Sequence, residues 1–249
     1  MPAVSGPAKD SSRISGMFDA IAGRYDLLNH LLSAGLDKQW RKRAVAALEL
    51  TGGETVLDLC TGTADLALAT MNGRDRARRV IGVDFSRAML QVAKEKISSA
   101  AIPGLHLIRG DATRIPLRDA TVDAVTIGFG IRNVEQPAAA CREIVRVLRP
   151  GGRLVILEFS LPRASTLRHF YLWYFRRVLP FIGRHVSRHP TAYTYLPESV
   201  AAFPTPEEFS EALRAAGFGT VRATPLAFGI VFMFAALKDR GLGPGAIID

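Results

Sequence analysis

The chain has little cysteine, no long apolar run and no residue spacing typical of a metal site. Cys60 and Cys141 are its only two cysteines in 249 residues, too few for a disulfide framework. No apolar segment is long enough to span a bilayer, and residues 1–13 lack the continuous apolar core of a secretory signal. We therefore expect a cytoplasmic protein that contains neither a structural disulfide nor a metal ion.

The charge balance is basic, with 32 Lys and Arg against 23 Asp and Glu and a formal net charge of +9. Such a charge favours an anionic partner, either nucleic acid or an anionic membrane face. No zinc motif, RNA-binding aromatic signature or lysine-rich tract supports nucleic acid, so we expect no nucleic-acid partner. The length and the hydrophobic content of 48% fit one α/β domain with a sizeable core.

A short apolar strand, a tight turn of small residues and the start of a helix follow one another in residues 54–65, ETVLDLCTGTAD. Small residues let the backbone approach a ligand closely at such a turn. The turn lacks the GxGxxG pattern, so a dinucleotide is a poor match. Asp58 at the strand end suits a ligand with a cationic or hydroxyl-rich end, such as S-adenosylmethionine. An ordinary strand–turn–helix is the alternative for this stretch alone.

Three successive predicted strands each end in an acid, namely Asp58, Asp84 and Asp111. In a parallel sheet the carboxyl ends of the strands meet at one edge, so these carboxylates are expected along one crevice. Asp84 follows the turn by about 20 residues, the spacing of the ribose-binding acid in such folds. A helix N-cap is the alternative for each single acid, and Ser86 keeps that alternative open for Asp84.

Strands and helices alternate along the first two thirds of the chain and are followed by a helix and two strands. The connection at Phe228 and Gly229 is too short for a helical crossover, so the last two strands must be antiparallel. The pattern predicts an α/β fold with a doubly wound, mostly parallel seven-stranded sheet and a C-terminal antiparallel hairpin. This is the architecture of class I S-adenosylmethionine-dependent methyltransferases. Strands are predicted at 55–58, 79–85, 105–112, 121–127, 153–159, 220–226 and 229–237.

The chain divides into a mobile tail at 1–13, a methyltransferase domain at 14–238 and a mobile tail at 239–249. Residues 14–50 are predicted to form a helical cover, and residues 160–203 an aromatic and basic insertion over the substrate side. Within that insertion, residues 167–182 place aromatic side chains on one helical face with arginines around it. Either this helix packs on the domain, or it lies in the interface of an anionic bilayer.

Two long motifs resemble those of the membrane-quinone C-methyltransferases, which add the ring methyl group of menaquinone and, in some organisms, of ubiquinone. Residues 25–33, YDLLNHLLS, resemble the first signature, and residues 146–160, RVLRPGGRLVILEFS, resemble the second. The segments 130–134 and 195–200 add to the match, which covers about residues 15–238. The chain departs from the family pattern at Leu28, Asp37, Thr61, Ala64 and Gly128.

The resemblance implies transfer of a methyl group from S-adenosylmethionine to the ring of demethylmenaquinol, the last step of menaquinone biosynthesis. Ring methylation of a ubiquinone-precursor benzoquinol, or of another lipid or small phenol, is the alternative. The implied substrate is a polyprenylated quinol, which places the enzyme peripherally on the inner face of an anionic membrane. A homodimer is left open. A nucleic-acid methyltransferase is disfavoured because residues 128–130, GFG, lack a base-binding motif.

The same resemblance assigns cofactor roles to individual residues. Thr63 matches a turn threonine that touches the cofactor, and Asp84 matches the acid that binds the ribose hydroxyls. Asp111 and Ala112 match the pair beside the adenine. Asp58 and Gly62 complete the predicted cofactor set. Gly128 is expected to contribute no side-chain ligand, and no metal ligand is expected.

Arg132 is our hypothesis for catalysis, because it follows the fourth strand in a glycine-containing loop at the ligand-binding edge. A guanidinium facing the quinol would lower the pKa of its hydroxyl and stabilise the phenolate, which makes the ring carbon nucleophilic. An ion pair with Glu135 or Glu158 is the alternative. A guanidinium cannot serve as the base at neutral pH. The candidate proton acceptors are water, Tyr195, His30 and Asp26.

Overall fold

The computed structural model describes residues 11–73, 75–162 and 191–240. The helices are α1 Ser11–Ile21, α2 Tyr25–Leu32, α3 Asp37–Ala46, α4 Asp65–Thr70, α5 Arg87–Ala100, α6 Pro137–Val147, α7 Thr191–Ala201 and α8 Pro206–Ala216. The strands are β1 Thr55–Leu59, β2 Arg79–Asp84, β3 Leu105–Arg109, β4 Val122–Gly128, β5 Leu148–Phe159, β6 Phe218–Leu226 and β7 Val231–Lys238. Short 3-10 helices occur at Ala22–Arg24, Ile131–Asn133 and Ala227–Gly229.

The strands form one seven-stranded sheet in the order β3-β2-β1-β4-β5-β7-β6. The first five strands in that order are parallel, whereas β7 is antiparallel to both β5 and β6. The predicted doubly wound sheet with a C-terminal antiparallel hairpin is therefore confirmed. We call the edge at which the parallel strands end the carboxyl edge. The strand order reverses between β1 and β4, so a ligand crevice is expected at the carboxyl edge between them.

The central strands are buried on both faces, which explains their continuous apolar character. Successive side chains of β1 point to opposite sides, so Leu57 and Leu59 pack in one core and Val56 packs in the other. The first core lies under α6 and α8, where Ile144 and Phe209 are buried. The second core lies under α3, α4 and α5. This three-layer packing holds the strand ends, and hence the carboxyl edge, in a fixed geometry.

Residues next to the helix ends supply the caps of α5 and α8. Ser86 caps α5, because its Oγ accepts a hydrogen bond from the Met89 N–H at 3.1 Å. Thr205 and Glu208 form a reciprocal capping box at the start of α8. Gly217 ends α8 with a left-handed φ of +115°.

Helix α3 packs against β5 and helix α1 packs against α5, and the boundaries of the cover helices differ from the sequence-based expectation. In the cover predicted at 14–50, a 3-10 helix separates α1 from α2, and α1 already begins at Ser11 rather than at residue 14. The Trp40 ring of α3 packs edge-on against Phe159 at the end of β5, with ring centroids 6.5 Å apart. Arg153, near the other end of β5, donates to the carbonyl of Glu49. Helix α3 therefore starts at the carboxyl edge and runs antiparallel to β5.

The insertion predicted at 160–203 is described only at its two ends, at 160–162 and from α7 onward. The predicted interfacial helix at 167–182 lies outside the described residues, as do residues 1–10 and 241–249 of the two predicted tails. Among the helices in the described ranges, none is both long enough and apolar enough to cross a membrane.

Candidate active site

A cleft of about 270 Å³ opens at the carboxyl edge, at the point where the strand order reverses. Loops after β1, β2, β3 and β4 form its floor, and α1 and α2 contribute Ile14, Phe18 and Tyr25 from the opposite side. One part of the lining is polar and includes Asp84, Asp111 and Asn133. The remainder is mostly apolar or glycine. The other lining residues are Leu59, Cys60, Gly62, Val83, Phe85, Met89, Gly110, Ala112, Thr113, Gly128, Phe129, Gly130, Val134, Glu135 and Gln136.

The turn after β1 presents main-chain atoms directly to the cleft, without large side chains in front of them. Cys60, Gly62 and Ala64 all adopt left-handed φ values, at 55°, 54° and 65°. At Gly62 a side chain would meet no atom within 4 Å, so the space beside its backbone is open. Ala64 occupies a conformation that costs a non-glycine residue roughly 1–2 kcal/mol. The turn therefore keeps a left-handed path although Ala64 stands where the family pattern has glycine. Thr61 also stands at a glycine position of that pattern, and its hydroxyl donates a hydrogen bond to Asp58.

Asp84 ends β2 with its carboxylate in the cleft. Its Oδ2 accepts the Gly62 N–H at 2.8 Å, and its Oδ1 accepts the Ser86 N–H at 2.8 Å. These donors orient the carboxylate and leave each oxygen a further lone pair for a ligand hydroxyl. Burial raises the pKa of Asp84 to about 6, against the opposing effect of these backbone donors. A vicinal diol fits this acceptor, because each of its two hydroxyls can donate to one carboxylate oxygen.

Asp111 and Ala112 lie on the cleft wall beyond Asp84, after β3. The Oδ1 of Asp111 accepts the Thr113 N–H at 2.8 Å, which fixes the carboxylate while its other oxygen carries no such bond to a described residue. Ala112 is buried and presents a small apolar surface. The structure thus brings Asp84, Asp111, Ala112 and Gly62 together in one cleft.

Asp58 is the second-last residue of β1 and is buried behind the turn. Its two oxygens accept hydrogen bonds from the Thr61 and Thr126 hydroxyls at 2.5 and 2.7 Å. Burial raises its pKa to about 6, although both hydroxyls act to lower it. It lines a small second cavity that adjoins the main cleft through Gly62. Of the three acids aligned by the sequence, Asp58 is therefore the one set back from the main cleft.

Thr63 is buried, and its hydroxyl binds the helical cover. Its Oγ1 donates to Oδ1 of Asp26 on α2, and Lys96 Nζ on α5 contacts Oδ2 of the same carboxylate at 2.7 Å. Lys96 also pairs with Asp65 at the start of α4, and Arg41 of α3 bonds Asp65 at 3.0 Å. We call Asp26, Thr63, Lys96, Asp65 and Arg41 the cover latch. The latch joins α2 and α3 to the turn that approaches the cofactor.

Arg132 forms the ion pair that the sequence left open as an alternative. Its Nη1 lies 2.7 Å from Oε1 of Glu158, and its Nε lies 3.4 Å from Oγ of Ser199. Burial is the largest single influence and acts to lower the pKa of Arg132, but Glu158, Tyr25 and Tyr195 together outweigh it and raise that pKa. Nη1 also donates to the carbonyl of Phe129, a residue of the cleft wall. Arg132 itself is not among the described residues that line the cleft, so it supports the wall from behind.

The other catalytic candidates occupy different positions. Tyr195 donates its hydroxyl to Oδ1 of Asn133 at 3.0 Å and so reaches the cleft through Asn133. His30 bonds Asp37 at 3.1 Å, is 46% exposed and does not line the cleft. Tyr25 of α2 lines the cleft and carries a hydroxyl group. Burial raises the pKa of this hydroxyl. Sequence reasoning missed Tyr25 and Asn133 as site residues, although Tyr25 lies in the first motif, 25–33, and Asn133 in the supporting segment 130–134.

The residues present fit S-adenosylmethionine. The oriented Asp84 carboxylate suits the ribose hydroxyls, and the open backbone at Gly62 permits close approach of the ligand. Cysteine, glycine and small apolar side chains surround the space between them. No group of three potential metal-binding side chains occurs among the residues that the structure describes.

Comparisons with known proteins identify the family of the chain. A model of the ubiE/COQ5 methyltransferase family matches residues 7–238. The chain is 42% identical over 232 residues to a demethylmenaquinone methyltransferase of Thermobifida fusca, covering 93% of this chain and 97% of that protein. It is 46% identical over 214 residues to the demethylmenaquinone methyltransferase of Thermus thermophilus, covering 86% of this chain and 96% of that protein.

Solved structures support the fold. A SAM-dependent methyltransferase from Aquifex aeolicus superposes with a TM-score of 0.59 at 19% identity, covering 92% of this chain and 98% of that one. The [4+2]-cyclase SpnF superposes with a TM-score of 0.69 at 19% identity, covering 94% and 99%. Because the second protein is a cyclase, likeness of fold alone does not decide the reaction. The family match identifies the reaction as methyl transfer, and it confirms the predicted cofactor, S-adenosylmethionine.

Proposed function

The chain belongs to the ubiE/COQ5 methyltransferase family, and on that basis we propose that it methylates a ring carbon of demethylmenaquinol to give menaquinol. The observation that carries the proposal is the cleft itself. It joins an oriented diol acceptor, Asp84, to an apolar compartment that includes Ile14, Phe18, Met89 and Val134. The first part fits the cofactor ribose, and the second fits a flat, greasy ring.

S-adenosylmethionine, when bound, supplies an electrophilic methyl group on its sulfonium. The chain's own contribution is to place the quinol ring beside that methyl group and to exclude water from both. The apolar residues of α1 cover the ring, and the cover latch holds α2 over the turn at Gly62. The cleft therefore acts chiefly by positioning.

The quinol oxygen requires a hydrogen-bonding partner, since electron release from that oxygen makes the ring carbon nucleophilic. Tyr25 and Asn133 bring hydroxyl and amide groups to the cleft. Because burial raises its pKa, Tyr25 stays protonated at neutral pH and can donate a hydrogen bond to a developing phenolate. Arg132 holds the Phe129 carbonyl, so its contribution to the reaction passes through the wall of the cleft.

A polyprenylated substrate resides in the bilayer, so the proposed reaction requires contact with a membrane surface. The basic charge of the chain supports binding to an anionic surface without a spanning helix. We place the protein peripherally on the inner face of such a membrane. A homodimer is compatible with this placement, and the proposal does not depend on one.

The proposal is tested by incubating the purified chain with S-adenosylmethionine labelled in its methyl group and demethylmenaquinol in mixed micelles. We expect label in menaquinol, and at least tenfold less with a benzoquinol of the same tail length. Asp84→Ala is the control for dependence on this site. Equal labelling of the benzoquinol would shift the assignment to the broader quinone substrate class, and no labelling of either quinol would overturn the proposal.

A further inference from the structure

We propose that the carboxyl edge carries a docking face for an anionic lipid bilayer, formed by Leu27, Leu36, Phe228 and the basic outer side of α3. The proposal rests on the proposed function in one respect, which is that a membrane-resident substrate gives the enzyme a reason to dock. The surface itself is identified from exposure, placement and charge.

Large apolar side chains are exposed at four positions in the part of the chain that the structure describes. They are Leu27 at 53%, Leu36 at 42%, Phe228 at 91% and Leu237 at 39%. Single exposed leucines are common in folded proteins. A phenylalanine that is almost wholly exposed is unusual, because it forgoes the burial of an entire aromatic ring.

Phe228 is also held in a costly backbone conformation. It has a left-handed φ of 58°, inside the 3-10 turn between β6 and β7. Bulky residues rarely adopt this region, and strained residues concentrate at ligand-binding and switch sites. The turn thus holds an aromatic ring outward in water, which points to a binding role for the ring rather than a packing role.

The strand register places Phe228 at the carboxyl edge. Val231, the first residue of β7, pairs with Phe159 at the end of β5. The turn that precedes Val231 therefore projects past the ends of the parallel strands, on the side where the cleft opens. Leu237 pairs with Arg153 near the start of the parallel part of β5 and so lies toward the opposite edge.

The two exposed leucines of the cover lie toward the same carboxyl edge as Phe228. Leu36 immediately precedes α3, which starts at this edge and runs away from it along β5. Leu27 lies on α2, two residues after Tyr25, which lines the cleft. Three of the four exposed apolar side chains therefore lie toward the carboxyl edge, where the cleft is found.

Helix α3 adds positive charge beside these leucines. Trp40 and Ala44 face the core, whereas Lys38, Lys42 and Arg43 are exposed on the outer side. None of these three cations forms an ion pair with a described residue. The one acid of the helix, Asp37, is buried and accepts from Arg41 and His30, so the outer side of α3 carries cations alone.

An anionic bilayer fits this combination better than a protein partner does. Protein interfaces bury a packed apolar centre from which lysine is depleted. Here the apolar side chains are separated along the edge and accompanied by lysines, as in surfaces that insert into lipid headgroups. Lys38 and Lys42 lie one helical turn apart, about 6 Å along the helix, so both ammonium groups can reach one headgroup layer.

The test is co-sedimentation of the full chain with vesicles of 70% phosphatidylcholine and 30% phosphatidylglycerol. Phe228→Ser and the double variant Lys38→Gln/Lys42→Gln are compared with matched controls near the opposite edge, Leu237→Ser and Arg78→Gln/Arg79→Gln. Arg78 and Arg79 are exposed at the start of β2. We expect the two carboxyl-edge variants to bind at least about fivefold more weakly than their controls, since each surface cation contributes a comparable factor.

A second measurement reports insertion directly. Phe228→Trp should show a blue-shifted emission when vesicles are added, after subtraction of the parent signal, and Leu237→Trp should not. Equal partitioning of carboxyl-edge and control variants, or an unshifted Phe228→Trp signal, would overturn the docking face. Concentration-dependent dimerisation that Phe228→Ser abolishes would overturn it in favour of a second copy of the chain.

The activity assay separates failure of this inference from failure of the proposed function. With a demethylmenaquinol analogue that lacks the polyprenyl tail, Phe228→Ser and Lys38→Gln/Lys42→Gln should retain parental turnover. Their turnover on tailed substrate presented in anionic vesicles should fall in step with vesicle binding. Loss of turnover on the tailless analogue would contradict a docking role, whereas failure of the parent on both substrates would contradict the proposed function.

Discussion

Arg132 and Glu158 form a buried ion pair that joins the loop after β4 to the end of β5. Nη1 of Arg132 donates to Oε1 at 2.7 Å, and the backbone N–H of Arg132 donates to Oε2 at 3.2 Å. The guanidinium carbon also lies 5.4 Å from the centroid of the Phe159 ring. The pair therefore organises the wall of the cleft, and a loss of activity on mutation has both a structural and a catalytic explanation.

The two explanations predict different results for single and paired substitutions. Arg132→Ala leaves the Glu158 carboxylate buried without its cation, which typically costs about 3–5 kcal/mol of stability. The paired variant Arg132→Met/Glu158→Leu removes both charges and should recover most of that loss in a urea titration. If Arg132 also acts in the reaction, turnover of the paired variant should stay roughly 10²–10³ below the parent.

Turnover should be measured against pH at saturating cofactor for both variants. Arg132→Lys is the control, because it keeps the charge but loses the planar fork and should recover only part of the rate. Recovery of turnover together with stability in the paired variant would assign Arg132 to structure alone.

Asp84 should make cofactor binding depend on pH. Its pKa is about 6 in the folded chain, against about 3.9 in an unfolded one, so the folded state binds the extra proton between these values. The free energy of unfolding therefore falls as pH rises through this window, because Asp84 ionises while buried. The hydroxyls of a bound ribose donate hydrogen bonds to the ionised carboxylate and offset this loss of stability. We expect affinity for S-adenosylmethionine to be full above about pH 6 and to weaken below it.

Calorimetry from pH 5 to pH 8 checks this expectation. Asp84→Ala should weaken binding at least tenfold at pH 7.5, because losing hydrogen bonds to a charged group costs about 1.5–3 kcal/mol. Asp84→Asn should remove the pH dependence. Asp58 shares a pKa of about 6, so a dependence that persists in Asp84→Asn would have to be assigned to Asp58 instead.

The sequence was sufficient for features decided by near neighbours. The capping box at Thr205 and Glu208 spans four residues, and Asp84 at the end of β2 and Asp111 just after β3 both follow short apolar runs. The sheet followed from the alternation of elements. These features depend on local propensity and pattern, which one chain displays without any tertiary information.

The sequence was insufficient where distant residues decide a side chain's environment. Asp58 and Asp84 look alike as acids at strand ends, but the hydroxyl of Thr126, 68 positions away, draws Asp58 into the interior. Arg132 had two candidate partners, and the side-by-side pairing of β4 with β5 selected Glu158. Only the folded register reveals these relationships.

The basic residues of segment 167–182 give a prediction from sequence alone, since the segment lies outside the described residues. Replacing Arg168, Arg176 and Arg177 with Gln should weaken binding to vesicles that contain 30% phosphatidylglycerol. Each basic residue near an anionic surface contributes about 1 kcal/mol of binding free energy, so the triple variant should lose up to about 3 kcal/mol. Flotation of the variant and the parent measures the difference, and equal flotation would leave this segment without a membrane role.

The cover latch should control how long the cofactor stays bound. Lys96 contacts Asp26 at 2.7 Å and also pairs with Asp65, so it ties the cover helix α2 to α4 and α5. Lys96→Met keeps the aliphatic stem but removes the charge. Because both carboxylates are partly exposed, we expect a modest weakening of about 1 kcal/mol, or a dissociation rate raised about fivefold.

Stopped-flow measurement of S-adenosylmethionine release compares Lys96→Met with Gln91→Met. Gln91 lies on the same helix and donates a hydrogen bond to the exposed Glu95 at 3.0 Å. Hydrogen exchange in α2 should accelerate in Lys96→Met and not in Gln91→Met, because Lys96 binds Asp26 and Gln91 binds Glu95 instead. Thr63→Val removes the remaining hydrogen bond to Asp26 and should give a similar acceleration. Unchanged release in both Lys96→Met and Thr63→Val would show that the cover stays closed without the latch.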